Sequence, residues 1–209
     1  FKIFNRFLDK KHSYIDLGSW IGSTVLYGSQ LSKYCYAIDS DAIAMNILNH
    51  NLKLNPKIKN KVKTFEICIS NKKGYEFLGN NRRGFGDSTS SIFLEDNKHK
   101  IKCISFKKFL EKEKITNCNF IKIDVEGAEI KILQNIKQYL KKEKPTIHLS
   151  LHPWLFKNLN KDSTKILDSI NSYRNIFTNK GKKISQKEFV SKINKGKGFD
   201  VVIADKNWA

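Results

Sequence analysis

The sequence predicts an α/β fold: a doubly wound, mostly parallel sheet of seven main strands, with helices on both faces and an antiparallel last strand. Three observations carry that expectation. Short apolar runs alternate with segments whose apolar residues recur at helical spacing, the pattern of strand–helix–strand units. A glycine-bearing turn, Asp16-Leu17-Gly18-Ser19-Trp20-Ile21-Gly22, stands where the first strand gives way to a helix. Acids close the strands, Asp39 the second and Asp124 a central one, and open sheets of this kind bind ligands beyond the carboxyl ends of their strands.

Taken in order, residues 14–18 read as a short apolar strand, and a helix opens near Gly22 and runs toward Lys33. Residues 34–38 form the second strand. Residues 41–54 place Ala44, Leu48 and Leu52 on one helical face and stop at Asn55-Pro56, because the residue before a proline is driven out of the helical region. A third strand spans 62–69, with Phe65, Ile67 and Ile69 alternating. Residues 71–91, carrying Gly74, Gly79, Gly84 and Gly86, are expected as a loop-rich segment near a site. A short strand at 102–105, a helix at 106–114 and a buried strand at 120–124 follow. A helix at 128–142 keeps Leu133, Ile136 and Leu140 on one face and ends before Pro145. Strands at 146–151, 175–178 and 199–204 alternate with helices at 162–172 and 186–193. The expected organisation is one domain over 1–209, with a ligand-binding core at 14–152, a loop-rich insertion at 71–105 and a sheet edge at 153–209.

Composition bounds the function. The 209 residues are 40% hydrophobic and 28% charged, with three prolines, which fits a globular domain rather than a disordered chain. No apolar run approaches the roughly 18 residues that span a bilayer, and no secretory signal pattern stands at the start, so a cytoplasmic location is expected. Cys35, Cys68, Cys103 and Cys118 form no CxxC pair; they read as reduced, mostly buried thiols rather than a zinc ribbon or disulfide framework. The net charge of +19 points toward polyanions, yet only Arg6, Arg82, Arg83 and Arg174 are arginines among 39 basic residues. Scattered lysines neutralise phosphates without the planar fork that reads bases, so weak, non-specific nucleic-acid adhesion is expected.

The turn at 16–22 selects the class of ligand. Glycines there let the backbone approach a ligand closely, and the helix that follows offers free N–H groups. A dinucleotide fingerprint reads G-x-G-x-x-G, whereas Trp20 replaces the middle glycine and Asp16 ends the strand. An acid beside the turn repels a pyrophosphate. It suits S-adenosylmethionine, which carries a sulfonium, an ammonium and no phosphate. Asp39, 23 residues after Asp16, stands where such folds place an acid that accepts from ribose hydroxyls. Lys122-Ile123-Asp124-Val125-Glu126-Gly127-Ala128-Glu129 puts Asp124 and Glu126 just past a central strand. Glu129 reads as a first-turn carboxylate that favours the helix dipole.

Together these residues resemble an S-adenosylmethionine-dependent methyltransferase of the class I Rossmann-like type, and more narrowly the FkbM family. The resemblance rests on the turn at 16–22, on Ala37-Ile38-Asp39, on Cys68-Ile69-Ser70-Asn71-Lys72-Lys73-Gly74, and above all on Ile121 through Glu129. It spans 14 to about 152. The family methylates hydroxyls of sugars and natural products, which implies a small-molecule or glycan acceptor here. It also implies that Asp16, Gly18, Ser19, Trp20, Gly22, Asp39, Ser40 and Asp124 contact the cofactor, with Cys68, Ile69 and Ser70 beside adenine. Three departures stand out: Ser40 in place of a usual proline, Ser105-Phe106-Lys107-Lys108 in place of Thr-Leu-Asp-Asp, and Ser150 where many members carry Glu.

A hydroxyl is too weak an acid to ionise freely at neutral pH, so its attack on a methyl group needs a base or a metal beside the oxygen. The expected catalytic residues are Asp124, also in contact with the cofactor, and Glu126 on the acceptor side. His152 stands in reserve because Ser150 cannot act as a base, and His148 draws interest for the same reason. No metal ligands are assigned from the sequence. The competing readings are an RNA ribose methyltransferase and a non-catalytic binding protein that keeps the fold.

Overall fold

Apolar residues on alternate sides of each strand force the sheet to be covered twice. The computed structural model describes residues 1–71, 74–79, 86–92, 94 and 99–208. The chain runs α1 (Lys2–Phe7), β1 (Ser13–Leu17), α2 (Ser23–Leu31), β2 (Cys35–Asp39), α3 (Ala42–Lys53), α4 (Pro56–Lys59) and β3 (Val62–Glu66). Next come β4 (Cys68–Ile69), β5 (Gly74–Leu78), β6 (His99–Ile104), α5 (Phe106–Glu113), β7 (Cys118–Ile123), α6 (Glu129–Glu143) and β8 (Thr146–Leu151). After a 3-10 turn at Pro153–Leu155, the chain closes with α7 (Leu159–Ile170), β9 (Asn175–Thr178), β10 (Lys183–Ile184), α8 (Gln186–Asn194) and β11 (Phe199–Ala204).

The main sheet has eight strands in the order β10-β9-β11-β8-β7-β1-β2-β3. From β8 to β3 all neighbours are parallel, and β11 runs antiparallel between β8 and β9. The expected sheet of seven main strands is present, and the eighth is the two-residue β10, which hairpins back onto β9; so short a strand leaves no periodicity to read. On one face Val25, Met45, Leu48 and Leu52 of α2 and α3, with Phe4 and Phe7 of α1, pack over Tyr14, Ala37, Phe120 and Val202. On the other, residues of α5, α6, α7 and α8, Phe109, Leu133, Ile136, Ile166 and Phe189 among them, cover Ile15, Leu17, Ile121, Ile123, Ile147 and Leu149. Side-chain caps start the helices: Asp41 accepts from the N–H groups of Ile43 and Ala44, and Ser105, Asn158 and Ser185 each accept one N–H in the first turn of α5, α7 and α8.

The strand expected at 62–69 is divided. The Ile67 N–H makes a last bond to the Asp39 carbonyl, after which the chain turns away and Cys68–Ile69 joins β6 and β5 in a separate three-stranded sheet. In that sheet Cys68 lies in register with Cys103, and all four cysteines are free thiols. Part of the segment expected as loop is therefore strand. Residues 72–73, 80–85, 93 and 95–98, Gly84 included, lie outside the described residues. No helix among the described residues is long and apolar enough to cross a membrane.

The order of the strands reverses between β1 and β7. From β1 the chain builds outward through β2 to β3, and from β7 outward the other way. Loops after β1 and β7 diverge there, opening a crevice at the carboxyl ends of both strands.

His148 on β8 is placed by this sheet and not by a site. Its register partners are Lys122 and Val202, and its ring stands edge-on to Phe4 at 6.0 Å between centroids. Neither ring nitrogen has a hydrogen-bond partner among the described residues. Burial pushes its pKa down from the ordinary 6.5 to about 4, with the nearby charges of Asp200, Lys122 and Asp124 secondary. The ring is thus neutral in the fold and removed from the acceptor-side candidates. A histidine depressed in the folded state contributes stability above its unfolded pKa and loses it as pH falls. Urea midpoints should therefore drop as pH falls from about 6.5 to about 4. His148→Phe should remove that part of the slope; an unchanged slope contradicts the assignment.

Candidate active site

Gly18 fixes where the two loops meet. It lies at φ 77°, and a Cβ there would stand 1.7 Å from the Asp124 carbonyl oxygen, so only glycine lets the β1 turn close on the β7 loop. The Gly18 and Ser19 N–H groups both donate to the Ile38 carbonyl, at 2.9 and 3.1 Å. Trp20 follows in the left-handed region at φ 46°, held by its N–H to Asp39 Oδ2 at 2.7 Å. Gly22 serves packing: at φ 95° it starts α2 against α3, where a Cβ would meet Leu48 Cδ1 at 2.2 Å.

Beneath the turn, Asp16 is fully buried and both its oxygens are engaged. Oδ2 accepts from Thr24 Oγ1 at 2.7 Å and Oδ1 from Lys122 Nζ at 3.0 Å. Lys122 also donates to the Gly18 carbonyl at 2.8 Å and lies 3.6 Å from Asp124 Oδ2. Burial raises the Asp16 pKa against the pull of Lys122, while burial lowers that of Lys122 and is outweighed by Asp16 and Asp124, so its ammonium is held. Asp16 is therefore a tether under the turn and not part of the cleft wall.

The cleft itself holds about 970 Å³ of non-protein space, part of it open to solvent. Gly18, Ser19, Trp20, Asp39 and Ser40 form one wall, and Ile67, Cys68 and Ile69 another. Ser70 and Gly22, also expected at the cofactor, are not among the cleft's lining residues. Asp39 is doubly used, accepting the N–H of Asp41 on Oδ1 at 2.9 Å and that of Trp20 on Oδ2, which leaves each oxygen a second lone pair. Burial raises its pKa against those two bonds. Asp41, the side-chain cap of α3, also binds the strap at 86–92: Oδ2 accepts from the Gly86 N–H at 2.7 Å and from Ser90 Oγ at 3.2 Å. Trp20 Nε1 donates to the Gly86 carbonyl at 2.9 Å, and Ser91 Oγ donates to the Glu126 carbonyl. The strap thus closes over the cleft from both loops.

Past β7 and β8, Asp124, Glu126 and His152 come together. His152 Nε2 lies 3.2 Å from Glu126 Oε1 and 3.6 Å from Asp124 Oδ1. On its other side Nδ1 donates to Glu129 Oε1 at 2.6 Å, and that oxygen also accepts the Gly127 N–H at 3.0 Å. Glu129 is fully buried, which no dipole role requires, so the sequence reading of this residue is corrected: it orients His152. Burial pulls the His152 pKa down, but hydrogen bonds to Glu126 and Glu129, with the charges of both, carry it up to about 10. An imidazole held protonated at neutral pH accepts no proton, which speaks against His152 as the reserve base in this arrangement. Ser150 donates to Asp200 on the neighbouring β11 at 2.7 Å, so an acid does stand at that edge, one strand over.

The sequence from 19 to 184 matches the family model described as "Methyltransferase FkbM domain". The chain belongs to the FkbM methyltransferase family. Its fold is shared with the FkbM methyltransferase of Methylobacillus flagellatus KT, at 14% identity and a TM-score of 0.56 over 95% of this chain and 44% of that one. This chain therefore spans under half of the Methylobacillus protein. A Streptococcus mutans methyltransferase solved with S-adenosylhomocysteine superposes with a TM-score of 0.53 at 13% identity, over 97% and 94% of the two chains. An rRNA methylase of Streptococcus thermophilus does so with a TM-score of 0.54 at 8% identity, over 97% and 91%. No curated protein matches the sequence.

S-adenosylmethionine is the methyl donor of an FkbM domain, and the cleft suits it. Asp39, Asp41, Asp87, Asp124 and Glu126 line it, and Lys122, the one lysine among its described lining residues, is turned inward onto Asp16, so a ligand with positive groups and no phosphate is favoured. The buried Ser19 hydroxyl at the turn has no partner among the described residues and is free to meet a polar group of the cofactor. Ile38, Ile67, Ile69 and Leu78 offer an apolar wall. Asp39→Ala should weaken S-adenosylhomocysteine binding by about 1.5–3 kcal/mol, the scale of lost charge-assisted hydrogen bonds. Calorimetric titration checks this, with circular dichroism confirming the fold; unchanged affinity removes Asp39 from the cofactor site.

Proposed function

We propose that this FkbM domain transfers the methyl group to a hydroxyl of a sugar or related polyol. The observation that carries this reading is the acid pair Asp124 and Glu126 at the open end of the cleft, with an exposed indole beside it. Trp154 is 57% exposed, packs edge-on to His152 at 5.0 Å, and rests against Gly198, just before β11, where the missing side chain leaves room for its ring. An indole face standing free next to acidic acceptors suits the C–H face and hydroxyl edge of a pyranose.

S-adenosylmethionine supplies a methyl carbon already activated by positive sulfur, so the chain's own residues have two tasks, alignment and removal of one proton. Gly18, Ser19 and Asp39 hold the donor side. Glu126 takes the acceptor side, accepting a hydrogen bond from the attacking hydroxyl and then its proton. Asp124 stands between the two, 3.6 Å from both Lys122 and His152. The strap at 86–92 excludes water from the transfer.

A tritiated-methyl screen against glycans and small polyols, with RNA as a parallel arm, tests the reading. Methyl transfer to a sugar supports it; transfer to RNA at physiological salt in place of sugars overturns it. With the acceptor in hand, Glu126→Gln should lower kcat by about 10²–10⁴, the range for a positioned base, and leave cofactor affinity within about threefold. Trp154→Ala should raise KM with little change in kcat. A Glu126→Gln variant with full turnover contradicts its role.

A further inference from the structure

We propose that Asp124, Glu126 and His152 form a binding site for one divalent transition-metal ion. This goes beyond methyl transfer as such and rests on the cluster's geometry, not on the identity of the acceptor. One donor atom from each residue lies within 4.8 Å of the others. Nε2 of His152 is 3.2 Å from Glu126 Oε1 and 3.6 Å from Asp124 Oδ1. An ion about 2.1 Å from each donor leaves neighbouring donors about 3.0–3.4 Å apart, so these separations admit a shared ion with small side-chain movement.

The second observation lies behind the histidine. His152 is buried, at 8% exposure, and its far nitrogen is fixed at 2.6 Å on the fully buried Glu129. A carboxylate gripping Nδ1 fixes the ring so that Nε2 points at the other two donors, and an ion entering there would displace the Nε2 proton, the arrangement that supports metal-binding histidines. The other Glu129 oxygen is buried with no partner among the described residues, so that carboxylate is sequestered to serve His152.

The donor set sets the class of ion. Two carboxylates and one imidazole, its Nε2 proton displaced by the ion, give a charge of minus two with mixed oxygen and nitrogen donors, which suits Mn²⁺, Fe²⁺, Co²⁺ or Zn²⁺ better than it suits Mg²⁺ or Ca²⁺, which favour all-oxygen sites. The three donors follow the ends of β7 and β8, and two of them, Asp124 and Glu126, also line the cleft. An acceptor hydroxyl entering the cleft would complete the coordination, and a bound hydroxyl ionises more readily, which assists the same proton removal assigned to Glu126.

Mn²⁺ titrated calorimetrically into chelator-treated full chain is expected to show one saturable site. Glu126→Gln and Asp124→Asn, which keep side-chain volume, should each weaken it at least tenfold, and Glu129→Gln by about 10–100-fold through the histidine. Asp168→Asn, on the surface at the pair with Lys137, should leave it unchanged. A measurement without substitution is the loss of the His152 ring signals in nitrogen-15 spectra on adding substoichiometric Mn²⁺, with His12 and His50 spared. No saturable Mn²⁺ or Zn²⁺ uptake overturns the site, as does uptake unchanged in an Asp124→Asn, Glu126→Gln double variant. Mn²⁺ binding without methylation of any sugar removes the acceptor reading alone, and sugar methylation with no metal uptake removes the metal site alone.

Discussion

The buried pair of Asp16 and Lys122 is the constraint from which the rest of this site follows. It joins β1 to β7 at the point where strand order reverses, and each side chain is almost wholly removed from water. Two charges in that position are tolerated only when every donor and acceptor is used. Here Thr24 donates to the remaining oxygen of Asp16, and Lys122 also donates to the Gly18 carbonyl and pairs with Asp124 at 3.6 Å. The pair thereby ties the first turn of α2, the glycine turn and the β7 loop into one network. Such a pair adds little net stability compared with apolar residues. What it sets is register: the Gly18 and Asp124 backbones are brought within contact, and the cleft opens from that contact.

The second organising feature is the separation of charge. The chain carries a net +19, yet among the described residues the cleft walls carry five carboxylates and one lysine, which faces inward. Dispersed surface lysines repel one another weakly in salt, whereas carboxylates gathered in a partly enclosed cleft keep their field. The cleft therefore selects for a positively charged ligand even though the whole molecule attracts anions. On the acceptor side the same carboxylates are arranged around His152, with Glu129 behind it, and this cluster rather than any single residue defines the chemistry available there.

Much of this was legible in the sequence because it depends on local chemistry. The period-2 and helical patterns gave the strand and helix order, and the turn at 16–22 stood out because glycines flank it and acids close its strands. Asp39, Asp124 and Glu126 lie where strand ends placed them. What escaped has no local signature. The break between β3 and β4 comes from a second sheet that pairs Cys68–Ile69 with β6, a long-range choice. Asp16 was read as facing the ligand because a strand-end acid does so by default, and the sheet turned it inward instead. A trace of that was present: Lys122 between Ile121 and Ile123 in a buried strand requires an acid partner. Glu129 looked like an ordinary first-turn carboxylate until β8 brought His152 to it, 23 residues on.

If the Asp16–Lys122 network holds the turn in its binding geometry, a change beneath the turn must be felt by the cofactor without touching it. Titration of S-adenosylhomocysteine into Asp16→Asn is the direct test, since Asp16 does not line the cleft and asparagine keeps its shape. The expected result is affinity weakened by at least about tenfold, or about 1.4 kcal/mol, in a protein whose circular dichroism and cooperative unfolding are retained. Wild-type affinity in that folded variant would contradict the account.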